Sequence, residues 1–161
     1  MGRATGQGDA LDQGSVVSAF AAHHRELYAF LARATLDPSV AEDLLRQTYA
    51  RLATEVRAGR PLPQVRTWLY RVAAELASRP APRARTAGTA VVAGGSRAAE
   101  LEDVLRGLSP EARVALLLSA EGFNGPEIAE VMGRPVAETR TLLYRARSRV
   151  RIRRELYAAG P

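Results

Sequence analysis

The chain has 161 residues, of which 47% are hydrophobic and only 6% aromatic, with a formal net charge of +6 and no cysteine. This composition excludes a disordered chain, a disulfide framework, thiolate metal sites and cysteine nucleophiles. The longest apolar run, "VALLLSA" at 114–120, is far too short to span a bilayer.

What remains is one compact domain or two small ones, with a core of Leu, Val and Ala, a mixture that favours helices. All 23 basic residues are arginine, as codon usage in a GC-rich genome would give. The positive balance also suits an acidic partner such as nucleic acid. The opening segment 1–14 lacks an apolar signal region and reads as a flexible lead-in, so the protein is expected to be soluble and cytoplasmic.

A first helix is expected from Val16 to about Thr35, with Ser15 as its cap and Phe20, His24, Leu27 and Leu31 on its apolar stripe. A second opens with Asp37 as cap and Pro38 at the first helical position, turning Leu44, Leu45, Thr48, Leu52 and Val56 inward. Two prolines and a glycine make 57–63 a loop. The third helix runs through Ser78, with Val65, Trp68, Leu69, Val72 and Leu76 on one stripe.

Periodicity then collapses into Pro, Ala, Gly and Arg from 79 to 96. The expected organisation is a flexible N-terminus over 1–14, a helical domain over 15–79, a linker over 80–97 and a second helical domain over 98–157. Only Val91 and Val92 could anchor the linker, so the two modules are expected to move independently, with proteolysis starting between Arg79 and Arg97.

The second module begins with a helix over 98–108. Another follows "SPEAR", where Ser109 can cap, Pro110 can take the first turn and Glu111 suits the positive helix end. In "NGPEIAEVMGRPV", Asn124 and Glu127 stand at capping-box spacing. Gly133 is placed to end that helix in a left-handed conformation, and the small Ala129 four residues earlier allows a close helix crossing. This is helix-turn-helix spacing, which an ordinary helical hairpin shares.

In the last helix Thr139, Leu143, Ala146, Val150 and Tyr157 form an apolar stripe. Arg140, Arg147, Arg151 and Arg154 form a lane beside it, with Tyr144 in the same lane and Arg145 and Arg149 pointing elsewhere. A DNA-binding helix would spend its first turns on base edges and its later arginines on phosphates. A solvated amphipathic helix would show the same pattern.

No enzyme chemistry emerges. His23 and His24 are adjacent and cannot converge on one metal from a helix, and no further His or Cys is present. The carboxylates Glu42 and Asp43, and Glu100, Glu102 and Asp103, have no base, nucleophile or phosphate loop beside them and read as solvated faces. No cofactor is expected.

Taken together, "AEDLLRQTY" (41–49), "WLYRVAAE" (68–75), "LSPEAR" (108–113), "EIAEVMG" (127–133) and "AETRTLLYRAR" (137–147) resemble, in order and spacing, the motifs of the extracytoplasmic-function (ECF) sigma factors of bacterial RNA polymerase. The resemblance spans roughly 15–155. It implies an all-α fold of two small domains, a sigma region 2-like bundle and a region 4-like helix-turn-helix.

The function it implies is promoter-specific transcription initiation. The first domain would dock on the polymerase β′ subunit and open the minus-ten element. The second would bind the minus-thirty-five element and the β flap. Implied partners are core RNA polymerase, promoter DNA and an anti-sigma factor. Polymerase docking falls to Asp43, Leu44 and Gln47, and DNA contact to Arg134, Arg140, Thr141, Tyr144, Arg145, Arg147 and Arg151.

The chain departs from the family pattern at Arg46, Ala74, Glu75, Glu138 and Leu142. These departures motivate a second reading, a sigma-like protein that sequesters an anti-sigma factor or modulates polymerase without reading promoters itself.

Overall fold

The computed structural model describes residues 13–62, 64–79 and 96–159. Every regular element among them is helical: α1 (Gln13–Thr35), α2 (Pro38–Arg57), α3 (Val65–Ser78), α4 (Ser96–Arg106), α5 (Pro110–Ala120), α6 (Gly125–Met132) and α7 (Val136–Ala159). Helices α1–α3 pack on one another as one sub-bundle and α4–α7 as a second, joined through a segment of which 80–95 lies outside the described residues. The fold is all-α.

Helix α1 starts at Gln13, so Ser15, the expected cap, lies two residues inside it. The helix ends where Leu36 takes a left-handed φ of 58°, and its amide donates back to the Ala32 carbonyl at 3.0 Å. Asp37 then accepts from the amides of Ser39 and Val40, and Pro38 begins α2. This antiparallel α1–α2 pair has the most extensive contact in the molecule.

The stripe of α1 differs from the expected one. Leu27, Phe30, Leu31 and Ala34 are buried, whereas Phe20 and His24 stack on each other at the exposed end, 4.7 Å apart. The i, i+4 spacing of Phe20 and His24 holds, but the buried line runs through Ala19, Leu27, Phe30 and Ala34, with Phe30 edge to face on Tyr70 of α3 and Phe20 against Tyr49 of α2. On α2, Thr48, Leu52 and Val56 are buried as expected, with Leu44 and Leu45 half-buried against the core. Thr48 satisfies its hydroxyl by donating to the Leu44 carbonyl at 2.8 Å.

Helix α3 is buried on more than one side. Tyr70, Ala73, Ala74 and Ala77 join Leu69, Val72 and Leu76 in the interior, because α3 packs on α1 and α2 and also on α5 and α6. Full burial of a Leu or Phe contributes about 1.5–3 kcal/mol. A single cluster of buried residues runs through both sub-bundles.

The modules are therefore not independent bodies. The expectation of independent motion considered only what the linker could anchor, but the modules bind each other directly. Arg66 reaches from α3 to Glu26 on α1 (3.3 Å) and to the Glu121 main-chain oxygen at the end of α5 (3.1 Å). Its guanidinium carbon lies 4.9 Å from the ring centres of both Tyr70 and Phe123. The Tyr70 hydroxyl donates to the Glu121 carboxylate at 3.0 Å, and the Tyr70 and Phe123 rings meet edge to face at 5.2 Å.

Candidate nucleic-acid interface

The second sub-bundle builds its helix pair from local signals. Ser109 accepts from the Ala112 amide and starts α5. Asn124 accepts from the Glu127 amide at 3.0 Å, and Glu127 accepts from the Asn124 amide at 2.7 Å, closing the capping box of α6. Gly133 ends α6 with φ 62°, ψ 37°, and its left-handed turn sends the chain into α7. Ala129 is buried at the crossing, beside Ile128 and Val131.

Helix α7 presents the surface. Thr139, Leu143 and Ala146 are buried and Val150 is half-buried, which fixes the rotation of the helix. The side chain of Tyr157, the last member of the expected stripe, lies outside the described residues. The opposite faces carry Arg140, Thr141, Tyr144, Arg145, Arg147 and Arg151, all exposed, with Tyr144 at 72%. An aromatic ring so open among guanidinium groups suits stacking or phosphate-flanking contact with a polyanion. Seven arginines between Arg140 and Arg154 face only Glu138 and Glu155 on the same helix.

The lane is partly tied to the protein. Arg147 donates to the Ser119 hydroxyl at 2.9 Å, and Arg151 lies 4.0 Å from Glu155. Arg149 donates to the Gly107 carbonyl, and Arg153 grips Asp103 with two nitrogens at 3.1 and 2.6 Å, so both fasten α7 to the α4 end. Arg134 stands apart from the helix group: it pairs with Glu111 and lines an open cleft with Arg71, Ala74, Glu75 and Gly133. Leu142 is half-buried against the core. Glu138 lies exposed in the first turn of α7, where a carboxylate complements the positive helix end.

On α2, Asp43 and Gln47 are exposed one turn apart, with Leu44 half-buried beneath them and Arg46 paired to Asp43. Glu75 is exposed and ion-paired to Arg51 and Arg79, whereas Ala74 is buried.

The residue that sequence reasoning missed is Arg113. It is buried and donates to three main-chain oxygens: Leu105 at 2.8 Å, Leu108 at 3.1 Å and Ala34 of α1 at 2.7 Å. Burial, with a smaller contribution from the Arg106 charge, pulls its pKa below the usual arginine value. Its only sequence signal is its place as the last residue of "LSPEAR".

Among the described residues no group of three or more His, Cys, Asp or Glu could hold a metal ion. His23 pairs with Glu26 at 2.9 Å, and His24 stacks on Phe20. No described helix is long and apolar enough to cross a membrane.

Residues 98–150 match the family model for sigma-70, region 4. The fold as a whole is similar to a solved structure of CnrH in complex with the cytosolic domain of CnrY. The identity is 20% and the TM-score 0.72, with 96% of this chain and 95% of that chain covered. The family match thus lies in the second sub-bundle, and the likeness to CnrH is one of fold. The region 4 match runs from within α4 through α5 and α6 into α7 as far as Val150.

Proposed function

We propose that this protein binds core RNA polymerase and directs it to a small set of promoters, with 15–79 and 98–157 as its two functional domains. The observation that carries the reading is the exposed face of α7, positioned by a closed capping box and a left-handed glycine within the region 4 match. Arg140, Thr141, Tyr144 and Arg145 contact the upstream element, Arg147 and Arg151 hold phosphates or the β flap, and Arg134 joins them once its pairing with Glu111 is released. Asp43, Leu44 and Gln47 form the polymerase contact on α2, working in the cytoplasm.

Two of the departures from the family pattern have packing reasons. Ala74 is buried and Leu142 half-buried, so each fills the interior. Glu138 suits the start of its helix. These assignments favour a promoter-reading protein over one that only sequesters a partner. An anti-sigma protein is a further partner, supported by the likeness to CnrH, whose structure holds the cytosolic domain of CnrY.

Pulldown with purified core polymerase followed by run-off transcription on genomic fragments tests the reading. Specific transcripts are expected. Failure to bind polymerase at near-physiological salt would overturn it, and binding without transcripts would favour sequestration.

A further inference from the structure

Buried Thr139, Leu143 and Ala146 fix the rotation of α7. At about 100° per residue, the face opposite them in the first two turns carries Ala137 and Thr141, one turn apart. Both are exposed, as is Val136 at the start of the helix. Arg140 and Tyr144 lie to one side of the pair, and Glu138 and Arg145 to the other.

Thr141 has its hydroxyl engaged already, because Oγ1 donates to the Ala137 carbonyl at 3.1 Å. That bond selects one side-chain rotamer, so the methyl group is what Thr141 offers to anything approaching the helix. Ala137 and Thr141 thus present two methyl groups in succession. The same helix carries arginine at seven positions between Arg140 and Arg154. A surface built only to grip phosphates would use arginine at 137 and 141 as well, since a backbone of phosphates gives a methyl group nothing to pack on. A base edge does. Among the bases only thymine shows a methyl group in the major groove, and Ala and the Thr methyl are its common apolar contacts. The N-terminal residues of a recognition helix are the ones that reach those edges.

We propose that Thr141, with Ala137 one turn before it, is a specificity-determining element that reads the 5-methyl group of thymine in the upstream promoter element. The inference rests on the promoter-reading function of α7 and names the base that this part of the helix selects.

The test uses the full chain bound to core polymerase and a pool of random-sequence duplexes from which bound sites are selected. Each thymine of the selected upstream element is then replaced singly by deoxyuridine, which deletes the methyl group alone. At one thymine, or at two neighbouring ones, the replacement is expected to weaken binding about fourfold, the weight of one methyl group taken out of water. Thr141→Ser keeps a hydroxyl for Ala137 and loses the methyl, so its thymine and uracil duplexes should bind equally at the position that Thr141 reads. Thr141→Val keeps a methyl and loses the hydroxyl, so there the fourfold difference should persist. The inference is overturned, with promoter reading left standing, by a selected element without thymine or one indifferent to uracil. It is equally overturned by an unchanged uracil penalty in Thr141→Ser or by loss of that penalty in Thr141→Val. A chain that does not bind polymerase, or binds it and enriches no sequence, overturns promoter reading and this inference together.

Discussion

Arg113 donates to the main-chain oxygen of Ala34 at 2.7 Å although 79 positions separate them in sequence. Ala34 lies in the last turn of α1, where unpaired carbonyls carry the negative end of the helix dipole. The same guanidinium closes the α4–α5 corner through Leu105 and Leu108, so one side chain serves two modules.

Replacing that side chain by Ala takes the guanidinium donor from the Ala34 and Leu108 carbonyls, while the Leu105 carbonyl keeps the Leu108 amide at 3.1 Å. Arg113→Ala is expected to destabilise the protein by roughly 3 kcal/mol or more, since each unsatisfied buried group costs about 1–3 kcal/mol before water enters. Arg113→Lys keeps the charge but loses the planar fork, and should recover only part of the loss. Urea unfolding followed by circular dichroism measures both. Equal stability of Arg113→Ala and the parent would show that water replaces the guanidinium without penalty.

The helix-turn-helix depends on two local devices. Asn124→Ala removes the acceptor of the Glu127 amide and should cost about 1 kcal/mol. Gly133→Ala places a Cβ in open space, so its cost comes from the left-handed backbone alone, about 1–2 kcal/mol. Gly133→Asn should cost less, because Asn tolerates that region. Thermal unfolding of the three variants ranks them directly, and a neutral Gly133→Ala would mean the turn can relax.

Those devices were legible because they are local. Asp37, Ser109, Asn124, Glu127 and Gly133 each act on backbone within a few positions, and each does what its spacing predicts. The inward face of α7 was legible for the same reason, since a 3.6-residue period fixes which side of a helix is apolar. Phe20 and Phe30 show where this stops. Both fit an apolar line on α1, and only tertiary packing decides that Phe30, edge to face with Tyr70 of α3, is buried while Phe20, against Tyr49 of α2, is 45% exposed. Tyr70 and Arg113 were illegible because their partners, Glu121 and Ala34, are distant in sequence.

Alkaline pH should act through two phenols. Burial, with the Glu26 charge second, pushes the Tyr49 hydroxyl from 10.0 up to about 12. Burial is also the main cause of the upward shift at Tyr70, followed by the charges of Glu121 and Glu26 and the hydrogen bond to Glu121. A raised phenol pKa means that the unfolded chain loses its proton first. The stability these groups contribute is complete below about pH 10 and is lost as pH climbs from there through about 12 for Tyr49. Unfolding free energy measured from pH 8 to 12 should therefore fall above pH 10, and Tyr49→Phe should flatten part of that fall. An identical slope in Tyr49→Phe would show that its phenol ionises normally in the folded protein.

The exposed face of α7 makes the sharpest test of the proposed DNA reading. Arg140 lies in the second turn and is exposed, where base edges or the nearest phosphates would be in reach. Arg147 lies two turns further on and is already held by Ser119, an orientation suited to a fixed phosphate contact. Arg140→Ala should reduce discrimination between a true promoter and a scrambled one by about 1–3 kcal/mol if the contact is bidentate to guanine. Arg147→Ala should weaken both about equally and flatten the salt dependence. Glu138→Thr removes a carboxylate from the phosphate field and should tighten upstream-element binding, at a cost in helix stability of about 0.3–1 kcal/mol from the lost dipole interaction. Binding isotherms at several salt concentrations separate these effects. If Glu138→Thr instead weakens specific binding, Glu138 accepts from a base, most simply a cytosine amino group. If none of the three changes alters DNA binding, the arginine lane faces solvent or protein, and sequestration replaces promoter reading as the function of α7.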